Sequence, residues 1–286
     1  MSGERNFVVK RVYLRFPGFK SKAVTISYDD GVKGDRKLVE IMNENGLKGT
    51  FNLNSGLFSK KFKNDNFIIE RMSVDDALSL YADFEIAIHG HKHAHWANIN
   101  FVELIKEIKT DRIKLEKIFN KMIIGCAYPF GSYNDDIKKV LINHGIKYSR
   151  TVLPTNNFEL PVDFLCWNPT CHHSEPSLIQ LAKKFVKSND EARRCQPKVF
   201  FVWGHSYEFE IFNNWHVFER FAKFIGGKEN IWYATNGQIY EYVHAYDSLI
   251  WGCCENYVYN PTSTQIYIDY YGNQFLLKSG ETVYLK

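Results

Sequence analysis

The six cysteines (Cys126, Cys166, Cys171, Cys195, Cys253, Cys254) form no C-x-x-C pair and no dense spacing, and the neighbours Cys253 and Cys254 are poorly placed to bridge each other. A disulfide scaffold is therefore excluded, and reduced thiols are the expectation. No apolar run approaches the roughly 20 residues of a membrane span, and Met1 to Lys20 lacks the apolar core of a signal peptide. We expect neither a membrane protein nor an exported one, and place the chain in the cytoplasm. Charge is also scarce in excess: a net +4 with 24% charged residues gives no field for a polyanion, so neither nucleic acid nor membrane is an expected partner. No Gly-x-Ser-x-Gly elbow occurs, which discounts a serine hydrolase despite Ser206 beside His205. There is no internal repeat and no low-complexity segment.

Apolar material is plentiful. Hydrophobic residues make up 45% and aromatics 16% of 286 residues, enough for one large α/β domain with a small appendage. Ala23 to Tyr28 runs β-prone into Asp29-Asp30-Gly31, a strand ending on carboxylates. Leu38, Ile41 and Met42 then fall at helical spacing, and Lys48 to Leu53 reads as a second strand. The order recurs: Ser73 as the N-cap of a helix, a strand Phe84 to Ile88, a long amphipathic helix Phe101 to Phe119, a strand Met122 to Ala127, and a buried strand Val199 to Trp203. Phe7 to Phe16 reads as a strand or arm, and Glu159 to Trp167 as extended. Strand and helix in alternation argue for a parallel sheet or barrel over residues 1–247. From about Ser248 short alternating runs punctuated by Asn-Pro, Gly-Asn and Ser-Gly point to an antiparallel β appendage, residues 248–286, packed on the main domain.

Four histidines, His89, His91, His93 and His95, follow the Phe84 to Ile88 strand at every second position. Imidazole is a favoured ligand for zinc and its neighbours, and a His-x-x-x-His pair can place two rings on one ion. Spacing alone leaves His89/His93 and His91/His95 as rival pairs. A catalytic zinc usually takes three protein ligands, so one more must come from elsewhere. In parallel α/β folds the carboxyl ends of the strands share one mouth, which brings Asp29, Asp30, Tyr128 to Gly131 and His205 toward the histidine run. Cys171-His172-His173 has no further ligands at metal spacing, and reads as polar loop near the cleft.

At these residues the chain resembles the polysaccharide deacetylases, carbohydrate esterase family 4, with their NodB homology domain. Thr25-Ile26-Ser27-Tyr28-Asp29-Asp30-Gly31 is similar to the first motif, His89-Gly90-His91-Lys92-His93 to the second, Ala127-Tyr128-Pro129-Phe130-Gly131 to the third and Trp203-Gly204-His205 to the last. The resemblance implies a distorted (β/α) barrel and a metal-dependent hydrolase that removes acetyl groups, N-acetyl of an amino sugar or glycan first. It implies Asp29 as base, Asp30, His89 and His93 as ligands of a divalent metal (Zn²⁺, with Co²⁺ or Ni²⁺ as alternatives), and His205 as general acid. Tyr128, Pro129 and Phe130 would line the cleft and hold the oxyanion. Two motifs depart. The third has Ala127 where the family commonly carries an Arg that orients the base, so something else must hold Asp29. For the fourth, an Asp-Trp pair, Asp163 and Trp167 are the candidates. Two alternatives stay open: hydrolysis of a small amide, cyclic imide or formyl group, and a carbohydrate-binding protein without catalysis.

Overall fold

In the computed structural model, which describes residues 12–64, 66–188, 195–254 and 256–286, the strand Lys22–Asp29 is buried at all eight positions. Its β-branched and aromatic residues suit a strand covered on both faces. It forms the spine of an eight-stranded sheet. Outward on one side lie Gly49–Leu53, Glu85–Ile88, Gly125–Ala127 and Tyr148–Arg150; on the other lie Lys198–Gly204 and Cys171–His172, and Ile231–Tyr233 pairs the start of the spine. Every pairing in this sheet is parallel. The sheet curls and nearly closes, because the Arg150 to Trp167 bridge joins one edge to the segment that leads into Cys171–His172 at the other. The expected distorted (β/α) barrel is borne out.

Apart from the short helix Tyr207–Ile211, which the periodicity does not predict, the helices follow the apolar spacing, with caps that follow from sequence. Ser73 Oγ accepts the Asp76 N–H at 3.2 Å, and Asn100 Oδ1 accepts the Glu103 N–H at 3.0 Å at the start of Phe101–Phe119. Two acids on that long helix, Glu107 and Asp111, are buried rather than solvated. A hairpin, Lys61–Asn64 with Phe67–Glu70, that the sequence reading does not contain stands beside the barrel mouth. Glu159 to Trp167 is not an extended run. Asp163 Oδ1 accepts the Leu165 N–H at 2.8 Å and caps a single 3-10 turn, Phe164–Cys166.

The other end of the barrel is polar inside and apolar outside. Glu85 accepts hydrogen bonds from Thr50 Oγ1 (2.6 Å), Tyr148 OH (2.8 Å) and the Gly237 N–H (2.8 Å), so the first turn of the Asn236–Asp247 helix plugs the barrel against a half-buried acid. Beyond it, Val12–Arg15 pairs antiparallel with Ile266–Tyr270, which pairs with Asn273–Leu277. Leu14, Phe16, Phe201, Ile239, Tyr242, Ile268 and Leu277 share one apolar cluster under this sheet. A second small sheet holds Ile250–Trp251, Tyr257–Tyr259 and Thr282–Tyr284. The part of the Phe7 to Phe16 expectation before residue 12 lies outside the described residues. All six cysteines are unpaired, and among the described residues no helix is long and apolar enough to cross a membrane.

Candidate metal and active site

Alternation along the spine strand turns Ser27 and Asp29 to one side. Asn52, registered opposite Asp29 on the next strand, donates from Nδ2 to Ser27 Oγ at 2.7 Å and to Asp29 Oδ1 at 2.8 Å. The other carboxylate oxygen, Asp29 Oδ2, accepts from Arg150 Nη2 at 2.5 Å. Burial alone would raise the Asp29 pKa, but the Arg150 guanidinium, His89, His205 and Asn52 outweigh it and bring it down to about 2. Arg150 is the answer to the gap at Ala127. The two residues are register partners on neighbouring parallel strands, so a guanidinium one strand over reaches the same carboxylate. Arg150 is fully buried, with Cζ 4.2 Å from the centroid of the Trp203 ring. Its signal in the sequence is an arginine closing a short strand, the same place where Asp29 closes another.

The chain then turns sharply. Asp30 has φ +79°, a left-handed conformation that an aspartate adopts more readily than most residues. Arg71 fixes it, donating from Nη1 to the Asp30 backbone oxygen at 2.6 Å and from Nη2 to Oδ1 at 3.0 Å. Burial raises the Asp30 pKa, and Arg71 followed by the three nearby histidines lowers it below the usual value.

His89 and His93 come to Asp30 through a loop that the long helix holds. Asp111 accepts the Ser55 N–H at 2.7 Å and the His89 N–H at 3.0 Å, while Glu107 Oε2 accepts the Lys92 N–H at 3.0 Å. Gly90 (φ +81°) and His93 (φ +55°) make the turn, and a Cβ on Gly90 would come within 3.2 Å of Glu107 Oε2 and the Pro129 ring. Of the two pairs the spacing allows, His89 and His93 converge, their Nε2 atoms 3.1 Å apart. His91 turns to Ser55 Oγ (2.8 Å), and His95 stacks on Phe130, with centroids 5.4 Å apart.

These residues fit a divalent cation. His89 Nδ1 lies 2.8 Å from the Ala127 carbonyl oxygen, which can only accept, so Nδ1 carries the proton and the lone pair of Nε2 faces inward. Burial depresses the pKa of both rings, that of His93 to about 4, with His89 adding to the effect there. The two Nε2 atoms approach to 3.1 Å beside the Asp30 carboxylate, so ring nitrogens and carboxylate face one space that a cation could share. The donor atoms of Asp30, His89 and His93 all lie within 4.8 Å of one another, and a two-imidazole, one-carboxylate set suits zinc and its neighbours.

Across the cleft, His205 Nε2 lies 3.8 Å from Asp29 Oδ2. Burial would lower the His205 pKa, but Glu208, Asp29 and Asp30 together pull it up to about 9. The cavity between, of about 500 Å³, is lined by Asp29, Asp30, His89, His93, Tyr128, Phe130 and His205, with Phe62 and Lys63 of the hairpin on its rim. Phe130 (φ +56°) stands 60% exposed at the edge, 4.6 Å from the His93 ring centroid. Pro129 is buried behind it, and Tyr128 donates to the Leu165 carbonyl at 2.7 Å.

Asp163 and Trp167 do not join this group. The Asp163 carboxylate, 44% exposed, pairs with Lys138 Nζ at 2.6 Å. Trp167 is buried in the opposite core, against Tyr148, Phe164 and Phe201. Its backbone closes the sheet, donating to the Ser149 carbonyl at 3.0 Å, so its ring has no path to the cleft.

Residues 17–149 match a family model, polysaccharide deacetylase. The match takes in Asp29, Asp30, His89, His93 and Tyr128 to Gly131, and ends before Trp203-Gly204-His205. A Mycobacterium smegmatis structure assigned to the polysaccharide deacetylases superposes with TM-score 0.57 at 15% identity, over 82% of this chain and 94% of that one. The Xyl-CE4 domain of a multidomain xylanase from the hindgut metagenome of Trinervitermes trinervoides gives 0.52 at 13% identity, over 79% and 92%. At these identities the likeness speaks to the fold. A Streptococcus pyogenes deacetylase in complex with acetate is matched at 19% identity and TM-score 0.42 over 50% of this chain, which spans only 61% of that protein. No curated protein sequence matches.

Proposed function

We propose that the chain is a metal-dependent hydrolase that removes acetyl groups, foremost the N-acetyl group of an amino sugar or glycan. One observation carries this reading: a single cavity holds Asp29, gripped by Arg150 and Asn52, between the Asp30, His89 and His93 trio on one side and His205 on the other. A divalent metal on Asp30, His89 and His93, with Zn²⁺ first and Co²⁺ or Ni²⁺ as alternatives, would polarise the acyl carbonyl and acidify water there.

The chain's own residues supply the rest. Asp29, held ionised, accepts the proton of the attacking water; the two donors on its oxygens fix where its remaining lone pairs point. His205, on the far side of the scissile bond, carries a proton at neutral pH and gives it to the departing amine or alcohol. The faces of Phe62, Phe130, Trp203 and Tyr207 give the cavity apolar walls against which a sugar ring can lie. The test is acetate release from N-acetylglucosamine oligomers and from acetylated xylan, by metal-stripped protein and by protein reloaded with Zn²⁺ or Co²⁺. We expect release only after reloading, and from the oligomers first. Metal uptake without acetate from either substrate would overturn this reading and turn attention to small imides and formamides.

A further inference from the structure

Cys171-His172-His173, which the sequence reading leaves as loop polarity, lies directly behind His205. The strand that carries it pairs with the strand that ends at Gly204, and the His173 ring packs on Gly204 so closely that a Cβ there would come within 2.0 Å of Nδ1. Only glycine at the centre of Trp203-Gly204-His205 admits that ring. Glu208, one turn after His205 in the Tyr207–Ile211 helix, reaches back into the same space. Its Oε2 lies 3.0 Å from His173 Nε2 and 3.1 Å from His172 Nε2, and its Oε1 lies 3.4 Å from His205 Nδ1.

The proton on each ring can be assigned from its neighbours. The Ser174 N–H donates to His172 Nδ1 at 3.2 Å, so His172 bears its proton on Nε2, toward Glu208. The Tyr28 hydroxyl lies 3.0 Å from His173 Nδ1. Glu208 Oε2 is a carboxylate oxygen and can only accept, so His173 turns its Nε2–H toward it and leaves Nδ1 to accept from the phenol. The Nε2 atoms of both rings lie within 3.1 Å of Oε2 without the alignment of formed hydrogen bonds, and Oε1 is left for His205. The donor atoms of His172, His205 and Glu208 also lie within 4.8 Å of one another, so a metal ion there is the rival occupant that the test below distinguishes.

We propose that Glu208, packed against the His172 and His173 rings, is the positioning residue for His205, taking its Nδ1–H and leaving Nε2 to face Asp29 and the cleft. This rests on the reading of His205 as the donor to the leaving group. The 3.4 Å approach is long for a formed hydrogen bond and is of the kind that tightens when substrate fills a site. Glu208 does here what Asp163 does not, from a position three residues after the acid rather than from a distant loop.

The test pairs kinetics with a reading that needs no turnover. In Glu208→Gln, kcat on N-acetylglucosamine oligomers should fall roughly 100-fold, with KM changed by less than about twofold. On an aryl acetate, whose phenolate leaves without a proton, the loss should be at least about tenfold smaller, as it should be in His205→Ala. Equal losses on both substrates, or none, would overturn the assignment. In metal-free protein, ¹H–¹⁵N spectra of the imidazole rings should show a hydrogen-bonded Nδ1–H on His205, absent from His205→Gln and displaced in Glu208→Gln. A His205 Nδ1 without a proton, or a second equivalent of bound metal that Glu208→Gln loses, would also overturn it. If wild type releases no acetate, the proposed function falls, while the ring spectra still decide the wiring.

Discussion

The two flanks of the cleft are built differently. On the proposed ligand flank, His89 and His93 are four residues apart on one loop, and Asp30 joins them from the end of another strand. On the support flank, Asp29 is held by Arg150 from 121 residues away, and His205 faces Glu208, which itself contacts His172 and His173 of another strand. Spacing narrows the proposed ligand flank to two histidine pairs, whereas the support flank exists only once the sheet has curled. Function places the two under different constraints: a ligand set must meet one ion, while a base or acid needs only some group of the right charge within reach, which several positions can provide.

The largest effects should separate ligand from base. His89→Ala is expected to abolish both metal binding, measured by elemental analysis, and turnover. Asp29→Asn should keep full metal stoichiometry while kcat falls roughly 10²- to 10⁴-fold; an Asp29→Asn protein with full activity would remove Asp29 as base.

Next comes the origin of the guanidinium. Arg150→Ala leaves a buried carboxylate without its partner, which costs about 3–5 kcal/mol in comparable buried pairs and should show in chemical denaturation together with a loss of kcat. Because Ala127 is the register partner of Arg150, the double variant Ala127→Arg/Arg150→Ala should regain activity over Arg150→Ala alone. No recovery would mean that the neighbouring strand cannot deliver the charge to Asp29.

A smaller effect should appear in acid. The Asp29 pKa is depressed from 3.8 to about 2, so the folded state binds fewer protons there than the unfolded chain. That stability is present above about pH 4 and is lost as pH falls through about 2, an amount on the order of 2 kcal/mol. In metal-free protein, the stability difference between wild type and Asp29→Asn should therefore shift by that amount between pH 5 and pH 2, followed by urea unfolding. The smallest effect belongs to Asp163: Asp163→Asn should change kcat by less than about twofold and stability by less than about 1 kcal/mol, as for other half-exposed ion pairs. A large kcat loss there would put the support flank back where the motif order predicts it.

Much of the fold was legible because its strands are β-prone and end on polar residues, and its helices keep their period and their caps. The convergence of residues as far apart as Asp29 and His205 followed from the parallel order alone. The departures share one cause. Arg150, Arg71, Glu107, Asp111 and Glu208 are charged residues that sequence pattern assigns to solvated faces, and tertiary pairing buries or half-buries each of them at the mouth. The hairpin at Lys61–Asn64 was missed because its short strands carry lysine on an exposed edge. Trp167 misled for the opposite reason: a tryptophan four residues after an aspartate looks like a pocket wall, yet its backbone is what closes the sheet.

The pairing of Val12 with Tyr270 bears on the order in which the molecule can assemble. Strand partners more than 250 residues apart are among the most non-local contacts a chain of this size can make, and the entropy of closing so long a loop must be met before any of them forms. During synthesis the barrel strands can find one another as they emerge, but Leu14 and Phe16 wait uncovered until Ile266–Tyr270 has been made. The last segment therefore acts as a clasp on the first, and a nascent chain lacking it would present an unpaired edge strand and bare apolar residues to whatever lies nearby.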